Sequence, residues 1–270
     1  LSEAANTGLK LKDANSDIIW QTSGDFDDHI ADKWLDGEFE GPKIQIDGIT
    51  FSWENGGNID LRDHHDAWPL LNGNILLHGN HRLFSDDWSQ LTNNEWSTNN
   101  SKNFFIMEIQ PIDSNDFNVV WEWYSIDHII HSNQDWIADL YVENINNHPD
   151  KLSMVELDTS SHTNTIHYNP ELNQVAISSR TNDEFFVIQR YSNGNGGDIV
   201  FRCCSPENYG SIDYDWGKTG HQHGANWIPP GYPDEGEIIV FNNLHCVNCN
   251  GWCNTSAILK INPVINNGNY

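Results

Sequence analysis

The sequence predicts an all-β protein built as a β-propeller, and three observations support this fold class. Aromatic residues make up 11% of the chain, and Asn, Asp, Gly and Ser interrupt it at short intervals. Between these turn residues lie short runs rich in Val, Ile, Phe and Trp, which are typical of β-strands. A unit that begins with a histidine motif recurs at a spacing of about 40 to 60 residues, as propeller blades do.

Each predicted element has a place in this repeated unit. A unit starts with a histidine motif, turns, passes through two central strands and ends with an aromatic strand. The starts are HHDA (64–67), HTNT (162–165) and QHGA (222–225), and the ends are SDIIW (16–20), NVVWEW (118–123) and GDIVFR (197–202). The central strands include NILLHG (74–79), FFIMEIQP (104–111), QVAISSR (174–180), FFVIQRY (185–191), EIIVFNN (237–243) and AILKINP (257–263).

The repeat also predicts where histidines gather. A propeller places equivalent loops of different blades around one central channel, so histidines that are distant in sequence can converge there. A β-sandwich is the rival fold because its strands also alternate, but it does not predict a recurring histidine at the start of each unit. We therefore expect one propeller domain over residues 1–270.

Residues 124–158 break the pattern of short strands. Their apolar residues have mixed helical spacing, and no clear strand begins until the end of the segment. Connections of this length are usually functional or mobile. We expect a long connection that carries one or two short helices.

The charge of the chain excludes several partners. With 13 Lys+Arg against 39 Asp+Glu, the net charge is −26, whereas nucleic-acid binding requires a basic surface. Docking on anionic lipid is disfavoured for the same reason, and no apolar run approaches the roughly 18 residues of a membrane span. An anionic ligand would need a positive patch built locally, and the histidines could supply it.

The five cysteines fall into two groups, with Cys203 next to Cys204 and three more within HCVNCNGWC (245–253). Disulfides in an exported protein are favoured over a structural zinc site that uses His245 and the thiolates, but both interpretations stay open. The number of cysteines is odd, so one thiol should be left without a disulfide.

Four strings of the sequence resemble the arylsulfotransferase family of exported, PAPS-independent enzymes. They are HHDAWPLLNGNILL, VVWEWYSIDHI, SHTNTIHYNPELNQVAISSR and HQHGANWIPPGYPDEGEIIVFNN, and the resemblance covers residues 60 to 262. It implies a six-bladed propeller with the active site in its channel and an extracellular or periplasmic location. The chain is short for six full blades, so we expect a terminal blade to be incomplete or closed by another segment.

The resemblance implies a reaction and the residues that perform it. A sulfuryl group would pass from an aryl sulfate to a phenol through a sulfohistidine intermediate, without cofactor, metal or nucleotide. His223 falls on the histidine of the family's QH-x-A motif and would be the nucleophile. His162 and Asn164 fall on the family's H-x-N pair, and Arg180 falls on the family's arginine at the end of the next strand. These side chains would hold the sulfate oxygens, because sulfuryl transfer depends on positioning and electrostatics as phosphoryl transfer does.

Three further histidines are candidates for the site, and two of them come from the resemblance. The histidine that precedes Asp-Ala in the family falls on His65, with His64 as the alternative register. His65 would share the work of holding the anion or moving the proton of the phenol. His64 and His128, the latter in the string DHI, are expected to contact the substrate.

Two other functions remain open from the sequence. Gly224 stands where an acidic residue often follows the nucleophile, and this departure favours a non-catalytic extracellular propeller that acts as a scaffold or binding protein. Converging histidines also suit a zinc or copper site, which predicts a metal-binding module. A single histidine at the start of a strand is usually a structural hydrogen-bonding residue, which is our interpretation of His167 and His221. The sequence leaves the oligomeric state open.

Overall fold

The chain folds mainly into antiparallel β-sheet, which confirms the all-β prediction. It forms two compact units, Leu1–Asp127 with Ser192–Gly196 and His128–Tyr191 with Gly197–Tyr270. A single propeller domain over the whole chain stays a prediction. The computed structural model describes residues 9–22, 26–41, 45–46, 49–50, 62–82, 102–113, 115–128, 152, 162–191, 196–205, 219–245 and 255–263.

The first unit contains a four-stranded meander, β5 to β8, in which each strand pairs with the one before it. Its other strands form two short hairpins, β1 with β2 and β3 with β4. The elements are β1 (Lys10–Lys12), β2 (Ile18–Gln21), α1 (Phe26–Leu35), β3 (Gln45–Ile46), β4 (Ile49–Thr50), β5 (Arg62–Pro69), β6 (Ile75–Arg82), β7 (Lys102–Ile112) and β8 (Asp116–Tyr124).

The second unit contains a four-stranded meander and a three-stranded meander. Both keep the order of the sequence, so each strand follows its neighbour through a hairpin or a longer connection. The strands are β9 (Thr163–Asn169), β10 (Gln174–Ser179), β11 (Glu184–Arg190) and β12 (Gly197–Cys203), then β13 (His223–Trp227), β14 (Ile238–His245) and β15 (Thr255–Ile261).

The strands of the repeated unit lie where the sequence predicts them, with one difference at the N-terminal side. The predicted strand SDIIW (16–20) overlaps β2, but β2 pairs with β1 in a hairpin rather than ending a larger sheet. Trp20 connects this hairpin to the meander, because its indole Nε1 donates to the carbonyl of Asp116 at 3.1 Å. Within the described residues, SDIIW therefore does not form the last strand of a four-stranded sheet.

The predicted connection at 124–158 is described only near its ends. β8 continues to Tyr124, and a 3-10 helix follows at Ser125–His128. The hydroxyl of Ser125 accepts a hydrogen bond from the backbone nitrogen of Phe104 at 3.0 Å, which fixes the start of this helix on β7. Residues 129–151 and 153–158 lie outside the described residues.

The core of the first unit is aromatic. Phe104, Trp121 and Trp123 are buried, and the rings of Phe104 and Trp123 lie 5.4 Å apart. The helix α1 packs on β8, where the ring of Phe26 lies 5.5 Å from that of Phe117. Burying each such side chain stabilises the fold by about 1.5–3 kcal/mol.

The core of the second unit lies between its two sheets. All six residues of β10 are buried, and since successive side chains of a strand point to opposite faces, both faces of this strand are covered. β13 packs beside β9. The cluster between the sheets consists of Ala176, Phe185, Val187, Cys203, Cys204, Ala225, Trp227, Ile238, Val240 and Ile261.

A buried ion pair joins the neighbouring strands β11 and β12 of the four-stranded sheet in the second unit. The guanidinium of Arg202 donates from Nε and Nη2 to the two carboxylate oxygens of Glu184, at 2.6 and 2.9 Å. Both side chains are buried, so each charge depends on the other for compensation.

Cys203 and Cys204 form a disulfide with each other, and both are buried. This agrees with the disulfide interpretation for the first cysteine group. The other three cysteines lie outside the described residues, so their pairing and the zinc alternative stay predictions. Within the part of the chain that is described, no helix is long and apolar enough to cross a bilayer.

Candidate functional site

A β-bulge interrupts the first strand of each large sheet at the predicted histidine motif. In β5, two extra residues lie between the pairs Asp63–Gly79 and Ala67–Leu77. In β9, Asn164 is the extra residue opposite Ser178 and Ser179. Bulges re-aim side chains and are frequent next to active sites, so the three motifs share a structural device as well as a sequence pattern.

The bulge of β13 has one extra residue instead of two, but like that of β5 it contains a residue with a positive φ. It lies between His223 and Asn226, and Gly224 has a positive φ of 67°. In β5, the residue with a positive φ is His65, at 63°. Gly224 and His65 each lie two residues before the paired residue that closes the bulge, Asn226 in β13 and Ala67 in β5. By this backbone criterion His64, rather than His65, is the counterpart of His223.

The second unit brings six of the polar residues at these strand ends into one group, which we call the strand-start cluster. In an antiparallel sheet the start of one strand lies beside the end of the next. The starts of β9 and β13 therefore lie near the ends of β10 and β14. The cluster consists of His162, Asn164, Arg180, His221, His223 and Asn243.

Asn164 ties the two sheets together at the cluster. Its amide nitrogen donates to the carbonyl of Gln222 at 2.8 Å, and its amide oxygen accepts from the hydroxyl of Thr165 at 3.0 Å. The same hydroxyl accepts from the backbone nitrogen of Gly224 at 2.8 Å. Asn164 is buried, and its contacts connect β9 to β13. Its predicted role, to donate a hydrogen bond to the sulfate oxygens, stays a prediction. Its hydrogen bond to the backbone carbonyl of Gln222 is observed.

Gln222 completes the connection between the sheets. Its side chain is fully buried, and its amide nitrogen reaches the carbonyl groups of Ser179 and Glu184 at 2.8 and 2.7 Å. The start of β13 is thereby held on the hairpin between β10 and β11.

His223 is oriented through its Nδ1 atom. This nitrogen lies 3.0 Å from the carbonyl oxygen of His221 and 2.9 Å from the amide nitrogen of Asn243. Asn243 also donates to the carbonyl of His221. An unprotonated Nδ1 would accept from Asn243, whereas a protonated Nδ1 donates to the carbonyl of His221, whose second lone pair accepts from Asn243. In that tautomer the ring keeps its lone pair on Nε2.

Arg180 contacts a neutral partner. Its Nη2 atom donates to Nδ1 of His221 at 3.2 Å, and its backbone nitrogen donates to the carbonyl of His162 at 3.0 Å. Within the described residues, no carboxylate forms an ion pair with Arg180, whereas Arg202 in the same unit pairs with Glu184. The guanidinium charge of Arg180 is therefore not compensated by these residues.

The sequence analysis interpreted His221 as a structural hydrogen-bonding residue and did not single out Asn243, and both contact predicted site residues. His221 lies two residues before His223, which is the first residue of β13. This spacing was the signal that could have identified His221. Asn243 had no such signal, because it reaches His223 only through the pairing of β14 with β13.

The other predicted site residues lie elsewhere or are described in part. His65 belongs to the first unit and is exposed, and the side chain of His64 lies outside the described residues. His128 ends the 3-10 helix, and its carbonyl accepts from the backbone nitrogen of Leu152 at 2.8 Å. His162 joins the cluster through its carbonyl group. The roles expected of these four histidines stay predictions.

His167 lies further along β9 and has a structural environment. Its ring centroid is 5.7 Å from that of Trp227 on β13. Burial lowers the pKa of His167 to about 4, because the charged ring would lose its hydration. The ring is therefore neutral at pH 7 and packs as an apolar group between the sheets.

The described residues include no group of three or more His, Cys, Asp or Glu side chains that could hold a metal ion. The chain matches no family model, and no curated protein matches it.

Proposed function

We propose that the protein is a six-bladed β-propeller that transfers a sulfuryl group from an aryl sulfate to a phenol. The meanders support the propeller, because four antiparallel strands in sequence order are the architecture of a blade. The common bulge at the start of β5, β9 and β13 supports the assignment of these strands to equivalent positions. The three-stranded sheet would then be a blade with three of its strands described.

The single observation that carries the proposed reaction is that Arg180 contacts the ring of His221 and no described carboxylate. In a chain with a net charge of −26, a half-buried arginine that contacts a neutral imidazole and no described carboxylate is suited to bind an anion. Guanidinium groups bind tetrahedral oxyanions through paired N–H donors. His223 belongs to the same cluster, and His162 contacts Arg180 through its carbonyl group.

In this proposal, Nε2 of His223 attacks the sulfur of the aryl sulfate. The sulfur–nitrogen bond forms, and the bond from sulfur to the aryl oxygen breaks with its electron pair on the phenolate. Protonated His162 gives its proton to that oxygen. In the second half, the oxygen of the acceptor phenol attacks sulfur, the electron pair of the sulfur–nitrogen bond returns to Nε2, and the phenol proton passes to His162.

The remaining residues of the cluster position these groups. Arg180 stabilises the charge on the sulfuryl oxygens, a contribution of about 2–4 kcal/mol for a well-placed donor. The carbonyl of His221 accepts the proton that His223 carries on Nδ1, and Asn243 holds that carbonyl in place through its own hydrogen bond. Asn164 holds β9 against β13, so we assign it a positioning role.

The test is a transfer assay with an aryl sulfate donor and a phenol acceptor. We expect transfer by the wild-type protein, loss of transfer in His223→Ala, and a decrease of about 10²–10³-fold in Arg180→Met. The matched control is Arg190→Met, because Arg190 is half-buried at the opposite end of the same sheet and lies 5.2 Å above the ring of Tyr168.

The control should retain full transfer. Equal loss in both arginine variants would contradict a specific role for Arg180. Binding of sulfate without any transfer across a broad set of donors would contradict the enzyme and favour a non-catalytic binding protein.

A further inference from the structure

We propose that His221 positions both partners of the proposed reaction, Arg180 through its ring and His223 through its carbonyl group. The effect on transfer rests on the proposed function, but the contacts themselves do not. His221 lies outside the residues that the family resemblance implies, and it differs from them because it would act without touching the transferred group.

The ring of His221 orients Arg180 without cancelling its charge. An arginine has only N–H donors, so Nδ1 of His221, at 3.2 Å from Nη2, has to be the acceptor. The proton of the neutral ring is then on Nε2. A carboxylate in this place would orient the guanidinium equally well but would neutralise it, and the anion would lose its attraction.

The backbone of His221 is held in an uncommon conformation. Its φ of 50° lies in the left-handed region, which few residues other than glycine and asparagine adopt. Its backbone nitrogen donates to the carboxylate Oδ1 of Asp183 at 2.5 Å, and its carbonyl accepts from the side chain of Asn243. Side chains thus bind the amide and the carbonyl of the same residue, and this conformation directs the carbonyl to Nδ1 of His223.

One hairpin supplies the partners of both the backbone amide and the ring of His221. Arg180 and Asp183 lie in the turn between β10 and β11, where the backbone nitrogen of Asp183 approaches the carbonyl of Arg180 at 3.4 Å. The carbonyl of Asp183 accepts from the hydroxyls of Ser205 and Thr219. These contacts hold the hairpin independently of His221, and His221 connects the hairpin to the proposed nucleophile, His223.

Two substitutions separate the ring contact from the backbone conformation. In His221→Asn, the amide oxygen lies near the position of Nδ1 and can accept from Arg180, and asparagine tolerates a positive φ. In His221→Gly, the positive φ is equally tolerated but the acceptor is absent. The matched control is Ser16→Gly, an exposed position in the first unit with a φ of 70°.

The first measurement does not depend on transfer. Nitrogen-15 NMR of the imidazole rings should show His221 with a lone pair on Nδ1 and a proton on Nε2 in the wild-type protein, and a shift of the Nδ1 signal in Arg180→Met. A proton on Nδ1 of wild-type His221, or an unchanged Nδ1 signal in the variant, would overturn the proposal.

The second measurement is the dissociation constant of inorganic sulfate by calorimetry. We expect binding about tenfold or more weaker in His221→Gly, since the lost hydrogen bond involves a charged donor, and near wild-type binding in His221→Asn and Ser16→Gly. Equal binding by His221→Gly and the wild-type protein would refute the positioning role. A wild-type protein that binds no sulfate would contradict the proposed function, and the NMR result would then decide the role of His221 alone.

Discussion

Protonation of His167 should destabilise the second unit as the pH falls from 6.5 to 4. Burial lowers the pKa of this ring from 6.5 to about 4 in the folded protein, whereas the unfolded chain keeps the ordinary value. The unfolded state therefore binds a proton first, and the stability that the neutral ring contributes is complete above pH 6.5 and is lost as the pH falls through about 4.

The size of this effect follows from the two pKa values. The gap between them corresponds to at most about 3.5 kcal/mol of unfolding free energy, because each pKa unit is worth about 1.4 kcal/mol. Partial exposure of the ring reduces this value. The same ring contacts Trp227 on β13, so its protonation should also loosen the contact between β9 and β13 that supports the strand-start cluster.

The assay compares His167→Gln with the wild-type protein in urea at pH 7 and pH 4.5. The carboxylates titrate in both proteins, so the difference between them isolates the histidine. We expect the wild-type protein to lose about 2 kcal/mol more than the variant between the two pH values. The control His65→Gln removes an exposed histidine and should follow the wild-type protein. Parallel loss in His167→Gln and wild type, or an NMR titration of His167 near 6.5, would refute the reasoning.

Three other predictions concern packing and the nucleophile. Gly197→Ala should lower the urea midpoint by an amount equivalent to about 1–3 kcal/mol, because an added Cβ would overlap a carbonyl oxygen of β11; an unchanged midpoint would show that the hairpin adapts freely. Glu184→Gln should cost about 3–5 kcal/mol, since it removes the carboxylate that binds the buried guanidinium of Arg202 through two hydrogen bonds; urea unfolding measures this, and a loss below about 1 kcal/mol would argue against a pair that is shielded from water. Asn243→Leu should slow transfer more than Asn243→Asp, whose carboxylate can accept from a protonated Nδ1 of His223, and the reverse order in the transfer assay would contradict that tautomer.

The strands could be predicted from the sequence because each depends on its own residues. The run FFVIQRY (185–191) is short, apolar and bounded by turn residues, and it coincides closely with β11, Glu184–Arg190. The bulges could not be predicted, because an extra residue in one strand is defined only by the register of its partner. β2 illustrates the same limit, since its sequence predicts a strand but not that β1 would be its neighbour.

The site could be predicted in part for a similar reason. The motifs predict polar groups at the starts of β9 and β13, and these strand starts contact each other. They do not show that the amide of Asn164 is engaged by the carbonyl of Gln222, since that bond depends on how two sheets pack. The sequence did not reveal the contacts of His221 and Asn243 with Arg180 and His223, because these contacts depend on backbone geometry and strand pairing.

The central claim is that His223 accepts a sulfuryl group, and mass spectrometry of the protein after brief incubation with an aryl sulfate alone tests it most directly. With no phenol acceptor present, the account predicts a sulfuryl adduct on the peptide that contains His223, formed in step with release of the phenol and missing in His223→Ala. Release of the phenol while His223 stays unmodified would contradict the account.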